Sequence, residues 1–249
     1  MAYSNSKLVA YKKLSPNHSG KRTHSIDRIT PHCVVGQCSV ETLGSIFSKA
    51  SKQASSNYGI GPDGRVGLYV EEKNRSWCSS SPDNDQRAVT IECASDTKSP
   101  YKMNDKVYAS LIKLCTDICE RNGKDKLIWL GSRGKTLKYK PKKGEMVITV
   151  HRWFANKSCP GKWLYDRLPD LAEKVTANLA NDSLPYKVRV SITNLNIRKG
   201  PGTDYEKTGK VTGKGTFTIT AVSDGKGASK WGQLKSGDGW ISLDYAKKI

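Results

Sequence analysis

The spacing of apolar positions changes several times along the chain. Ile26 and Ile29 in "SIDRITPHCVVG" are β-branched, and Gly36 closes the run, so a strand entering a loop is predicted. "SVETLGSIFSKASKQASS" switches to the helical period. Ser39 can cap it, with Leu43, Ile46, Phe47, Ala50 and Ala54 on one face. "NYGIGPDGRVGLYV" sets a Pro-Asp-Gly turn between two short strands, a hairpin signal. "AVTIECAS" alternates, with Val89, Ile91 and Cys93 on one side and Ala88, Thr90 and Glu92 on the other. "NDKVYASLIKLCTDICERNGK" is the clearest helix. Asn104 caps it, Asn122-Gly123 ends it, and Cys115 and Cys119 lie on an apolar stripe that reads as core. "EMVITVHRW" is a strand with His151 at its end, and "GKWLYDRLPDLAEKVTANLA" is helical but interrupted at Pro169.

Strands alternating with helices predict an α/β layer with a mixed central sheet flanked by helices, over residues 1–180. "NDSLPYK", residues 181–187, reads as a linker. From Val188 to Ile249 no amphipathic helix can be drawn. "KVRVSITNLNIRKG", "KVTGKGTFTITAVS", "KWGQLKSGDGW" and "WISLDY" are strand-like runs between Gly-rich turns, which predict a small all-β barrel that folds independently.

Composition adds a strong charge bias. The 249 residues carry a net charge of +19, which favours polyanionic partners: nucleic acid, acidic membrane surfaces or anionic wall polymers. No recognisable nucleic-acid motif accompanies that charge, and it is spread over both segments. No window of about 18 apolar residues exists, so no membrane insertion is expected. The segment "MAYSNSKLVAYKKLSPNHSGKRTHS" has no apolar core, so it reads as a polar leader rather than a secretory signal, and synthesis in a cytoplasm is expected. Seven cysteines, an odd number, point to mostly reduced, buried thiols with at least one free or metal-bound.

Candidate chemistry gathers at two strand ends. Of the four histidines, His18 and His24 fall in the polar leader and read as exposed, whereas His32 and His151 each end a predicted strand. Cys159 follows His151 by eight residues on a loop closed by Pro160 and Gly161. Imidazole nitrogen and thiolate are zinc donors, and a catalytic zinc keeps three protein ligands and one open position. Spacing alone leaves open a surface histidine and a buried cysteine. Lys157, two residues before Cys159, would repel a metal ion unless negative charge develops beside it, as at an oxyanion. Glu92 is a carboxylate on an otherwise apolar strand. It reads either as a base beside metal-bound water or as an exposed or salt-bridged strand position. In the last segment Tyr205, Trp231, Trp240 and Tyr245 offer flat surface for short peptides, with core packing as the alternative for each.

Taken in order, "ITPHCVVG", "NYGIGPDGRV", "RSWCSSSPDNDQRAVTIECAS" and "HRWFANKSCPG" resemble the type 2 N-acetylmuramoyl-L-alanine amidases, a group that includes peptidoglycan-recognition proteins and a phage lysozyme. The resemblance implies zinc ligands at His32, His151 and Cys159, a catalytic carboxylate at Glu92 and an oxyanion partner at Lys157. It departs at His32-Cys33, where many relatives have two histidines, and at Trp77-Cys78, where many have a histidine after the tryptophan. Some members place a tyrosine near the zinc on the hairpin strand; here Ser56 and Asn57 precede Tyr58. "LNIRKGPGTDYEKTGKVTGKGTFTI" followed by "WGQLKSGDGWISLDYAKKI" resembles a bacterial SH3-type wall-binding domain.

Together the resemblances imply a peptidoglycan hydrolase of the endolysin type. Zinc-activated water would cleave the amide between N-acetylmuramic acid and L-alanine. Its partners would be the stem peptide, the glycan and the anionic wall, with no nucleic acid. The enzyme would be made in the host cytoplasm and act at the cell wall. A non-catalytic peptidoglycan-binding protein and a bacterial autolysin are the alternatives. Inactive relatives often lose the cysteine ligand, and this chain keeps Cys159.

Overall fold

A computed structural model describes residues 3–182 and 184–249. The chain divides into two compact units, residues 1–179 and 180–249. None of the described helices is long and apolar enough to cross a membrane.

The first unit contains β1 (Val9–Lys12), β2 (His18–Lys21), β3 (Arg28–Cys33), α1 (Val40–Phe47), β4 (Tyr58–Ile60), β5 (Val66–Leu68), β6 (Asn74–Ser76), α2 (Pro82–Arg87), β7 (Ala88–Cys93), α3 (Asp105–Arg121), β8 (Lys126–Ile128), α4 (Arg133–Lys138), β9 (Glu145–Ile148) and α5 (Gly161–Tyr165). The helix α6 (Leu168–Asp182) follows and crosses the boundary between the units. Seven strands form one sheet in the order β1-β5-β4-β7-β3-β9-β8. Only the β4–β5 hairpin pairs antiparallel; the other neighbours run parallel. The mixed sheet matches the pattern of the sequence.

β3 and β7 occupy the middle of the sheet, and this explains a departure from simple alternation. Ala88 and Thr90 are as fully buried as Val89 and Ile91, because helices cover both faces of a parallel sheet. α3 contributes Val107, Leu111, Leu114, Cys115, Ile118 and Cys119 to the main core, joined by Leu171 and Val175 of α6. Asn104 caps α3 by accepting from the Val107 N–H, as its sequence implies. The helical stretch after Gly161 is two helices rather than one. Pro169 sits in the first turn of α6, where a missing N–H costs nothing.

Two local expectations fail. The helix from Ser39 does not run to Ala54. α1 stops at Phe47, and a 3₁₀ turn follows at Ala50–Lys52, leaving Ala50 exposed. The reason lies in the leader. The Phe47 carbonyl accepts hydrogen bonds from Ser15 Oγ (2.5 Å) and Asn17 Nδ2 (3.2 Å), and Asn17 also donates to the Lys49 carbonyl (2.9 Å). Side chains thus satisfy a terminus that more helix would otherwise have satisfied. The leader is therefore part of the fold: β1 is an edge of the main sheet and β2 pairs with β6. His24 is exposed as expected, but His18 is half-buried in β2.

The second unit holds β10 (Tyr186–Val190), β11 (Asn196–Arg198), β12 (Lys207–Val211), β13 (Gly215–Ser223), β14 (Trp231–Leu234), β15 (Trp240–Ser242) and β16 (Ala246–Lys248). Every ladder in it is antiparallel, in the order β12-β11-β15-β14-β13-β10-β16. No ladder joins β12 to β16 among the described residues, so the expected all-β unit is a seven-stranded sheet rather than a closed barrel. Val188, Val190, Leu195, Ile197, Ile219, Leu234 and Ile241 form its core. Of the four candidate contact aromatics, Tyr205 (47% exposed) and Tyr245 (54%) reach solvent, and Trp240 is half-buried. Trp231 is only 3% exposed, so in this arrangement it presents no face to a ligand. Gly225, just after β13, packs against its ring so closely that a Cβ there would come within 2.8 Å of Trp231 Cδ1.

Candidate metal centre and active site

Parallel register brings the chemistry together. β3 and β7 pair residue for residue, and His32 lies opposite Glu92 at their C-terminal ends. Crevices beyond the carboxyl ends of such strands are where open α/β sheets bind ligands. His151 enters on the segment after β9, the other neighbour of β3. A buried hydroxyl–amide network locks these strand ends to α2. Thr30 and Thr149, each two residues before a histidine, approach to 2.7 Å. Asn84 of α2 donates to Thr30 (3.0 Å) and accepts from Thr149 (3.0 Å).

The cysteine arrives on a pinned loop. The Cys159 carbonyl accepts from Arg152 N (3.2 Å) and Nε (3.3 Å), and the Arg152 guanidinium also bonds the Ser158 carbonyl and lies 4.6 Å over the Tyr165 ring. The Pro-Gly that follows has a steric reason. Gly161 has φ +82°, and a Cβ there would meet Tyr101 Cβ at 2.9 Å and the Pro100 carbonyl at 3.0 Å.

The ligand atoms offered by His32, His151 and Cys159 lie within 4.8 Å of one another. His32 Nδ1 is 3.3 Å from Cys159 Sγ, and the two imidazole centroids are 5.1 Å apart. Burial, aided by the neighbouring His151, depresses the His32 pKa to about 3, so its ring is neutral and free to donate a lone pair. Burial, then the charge of Lys157, lowers the pKa of His151. Ser80 Oγ fixes that ring at Nε2 (3.0 Å). A hydrogen bond with Cys33, then burial and Glu92, hold Cys159 as a thiol until a cation draws off its proton.

Glu92 closes one side. Its side chain is 17% exposed, with Oε1 3.9 Å from His32 Nδ1 and 3.8 Å from Cys78 Sγ. The neutral state of His32 means that this approach is not an ion pair. Burial raises the Glu92 pKa to about 7, and the Cys78 contact opposes it. Lys157 is exposed on the loop before Cys159 and is felt electrostatically by His151. Tyr58 of the hairpin points elsewhere: it is fully buried and donates to Glu72 Oε1 at 2.6 Å.

The donor set fits a zinc ion. Two neutral imidazoles and one thiol are zinc-type ligands. Among the described residues, His32 Nε2 and Glu92 Oε2 are buried with no hydrogen-bond partner, as when an ion or water completes a site.

Cys33, Cys78 and Ser80 join the cluster without a role read from sequence. Ser80 had no signal beyond the serines before α2. Asp85 of α2 positions the Cys78 loop by accepting from Cys78 N (3.0 Å), Ser79 N (3.1 Å) and Ser79 Oγ (2.6 Å). A cavity of about 470 Å³ opens beside the cluster, lined by Arg75, Trp77, Cys78, Ser80, Asp85 and His151 among others. A slightly larger cavity, about 520 Å³, lies at the opposite, N-terminal ends of β3 and β8 and contains none of these groups.

No curated protein matches the chain. Among solved structures it is similar to a mutant endolysin from Bacillus subtilis (15% identity, 66% of this chain and 97% of that one, TM-score 0.47). It is also similar to the N-acetylmuramoyl-L-alanine amidase LysC from Clostridium intestinale (14%, 68% and 96%, TM-score 0.45). A third is the Staphylococcus aureus hydrolase AmiA in complex with its ligand (12%, 67% and 82%, TM-score 0.46). A family model described as bacterial SH3 domain matches residues 193–247. The model described as N-acetylmuramoyl-L-alanine amidase matches residues 22–162, more than half the chain and all of the cluster above, so the chain belongs to the N-acetylmuramoyl-L-alanine amidase family.

Proposed function

We propose that the protein is a zinc-dependent endolysin that hydrolyses the amide between N-acetylmuramic acid and L-alanine. In this reading residues 1–180 form the catalytic domain and 188–249 the wall-binding domain; the stretch 181–187 read as a linker is shorter than expected, because α6 runs to Asp182 and β10 begins at Tyr186. The observation that carries it is the convergence of His32, His151 and Cys159 beside a half-buried Glu92, at the strand ends of an amidase-family unit. His32, His151 and Cys159 would hold the ion. When bound, zinc acidifies a water and polarises the scissile carbonyl.

The protein's own groups account for the remaining steps. Glu92, whose pKa burial raises in the metal-free protein, takes the proton of the attacking water and returns it to the leaving L-alanine nitrogen. Lys157 neutralises charge that develops on the carbonyl oxygen. Thr30, Thr149 and Asn84 keep the two histidines in place while the bond is cut. The cavity walled by Trp77 and Arg75 receives substrate beside His151. The basic charge draws the enzyme to an anionic wall, an effect that salt weakens.

The test is mass spectrometry of purified peptidoglycan after digestion, run beside elemental analysis of protein purified without chelator. Release of free L-alanine amino termini by protein carrying one zinc is expected. Cleavage of another bond, or full activity after exhaustive chelation, refutes the reading.

A further inference from the structure

The cluster contains more donors than one catalytic ion needs. His32, Cys78 and Glu92 also offer ligand atoms that all lie within 4.8 Å of one another. We propose that these three residues form a second, alternative ion position, which takes a soft divalent cation such as excess zinc or cadmium and holds it away from catalysis by occupying Glu92.

Donor spacing supports this. With zinc bonds of about 2.0–2.3 Å and tetrahedral angles, neighbouring donors sit about 3.3–3.8 Å apart. The His32–Glu92 and Cys78–Glu92 separations are 3.9 Å and 3.8 Å, next to 3.3 Å for His32–Cys159 in the first set. Neutral imidazole, thiol and carboxylate together are a donor set for zinc and its softer relatives. The second observation is an orphaned atom. Glu92 makes both of its contacts through Oε1, while Oε2 is buried without a hydrogen-bond partner among the described residues, so the carboxylate keeps an oxygen free for an ion. Asp85 pins the Cys78 backbone, so the thiol is held near Glu92.

His32 belongs to both sets, so one ion chooses between them. In the first position Glu92 is free to exchange protons. In the second it is a ligand, and the base is lost. This inference rests on the zinc-amidase reading for the role of Glu92, but its test reads ligands and not turnover alone.

The probe is cobalt(II) added to the full-length reduced protein, followed by thiolate-to-metal charge-transfer absorption. Cys159→Ala, with Cys159→Ser as a second variant in case the first does not fold, is expected to keep one tightly bound cobalt with the absorption of a single thiolate and to hydrolyse no substrate. The double variant Cys78→Ala/Cys159→Ala is expected to lose that absorption. Glu92→Gln in the Cys159→Ala protein should weaken cobalt binding at least tenfold. A folded Cys159 variant without thiolate absorption overturns the proposal. So does absorption that survives in the double variant, which would mark an adventitious thiol such as Cys38. Wild-type protein that binds cobalt but cuts no muramoyl–L-alanine amide would refute the amidase reading and leave the Cys159 variants to decide this one.

Discussion

Glu92→Gln should abolish most turnover and yet stabilise the metal-free protein. Burial lifts the Glu92 pKa from the ordinary 4.5 to about 7. An acid whose pKa is higher in the folded state binds its proton more tightly there. Its contribution is therefore most favourable at low pH and is lost as pH rises from 4.5 through 7. At 1.36 kcal/mol per pKa unit, the buried carboxylate costs about 3 kcal/mol above pH 7 and almost nothing below pH 4.5. Glutamine keeps the size and removes the charge. For a unit of this size the gain is equivalent to roughly 6–12 °C in Tm at pH 8. His32 acts in the opposite sense. Its folded pKa of about 3 lies below the ordinary 6.5, so it removes stability as pH falls below 6.5. Comparing the two proteins at each pH cancels that contribution. The assay is urea and thermal unfolding of chelated wild type and variant at pH 4.5, 6 and 8. The variant should gain progressively from the lowest pH to the highest, while its turnover with zinc drops roughly 100-fold. Equal stability at pH 8 would mean that Glu92 is well solvated and that its pKa is not raised by burial.

Lys157→Ala should lower kcat by roughly 100-fold or more with zinc content unchanged; unchanged kcat on a soluble muropeptide would remove Lys157 from the oxyanion role. Tyr58→Phe deletes a buried hydroxyl that donates to Glu72 at 2.6 Å and accepts from Ser6 N at 2.8 Å. It should cost about 1.5–3 kcal/mol in urea unfolding, and a loss below about 0.5 kcal/mol would contradict that account. Residues 184–249 expressed alone should sediment with cell walls without lysing them. Residues 1–182 should cut soluble muropeptides at the full-length rate but clear whole cells more slowly, because the tether to an insoluble substrate is gone. Equal clearance by both forms would exclude a targeting role. Tyr205→Ala/Tyr245→Ala should weaken wall binding at a salt concentration that screens the lysines, and unchanged binding would leave charge as the cause.

Elements with long, regular patterns were legible before the structure. The stripe and the asparagine cap of α3, the Pro-Asp-Gly hairpin and the strands of the second unit all carry local signals, and the structure contains them. Elements whose form depends on distant partners were not. Nothing between Val40 and Ala54 says that Ser15 and Asn17 will take the carbonyls that end α1. The four-residue strand β1 is half-exposed and too short to establish a period, and it is strand only because β5 lies beside it. Burial of Trp231, for which contact surface and core packing were both open, likewise follows from a distant partner, Gly225, against its ring.

The site divides along the same line. The types of residue that could bind a metal were visible in four histidines and a cysteine on a tight loop, but their convergence is a property of register. His32 and Glu92 are opposite because β3 and β7 pair without a bulge from Arg28–Ala88 to Cys33–Cys93. A slip of one residue would put Ile91 or Cys93 opposite His32 and turn Glu92 to the other face of the sheet. Asn84, on the helix that leads into β7, opposes such a slip: it would lose Thr30 and Thr149, and a buried polar group left unpaired costs about 1–3 kcal/mol, while the Thr30–Thr149 bond separately ties β3 to the end of β9. Polar residues two positions upstream of each histidine, which no periodicity marks as functional, thus hold the register on which the chemistry depends.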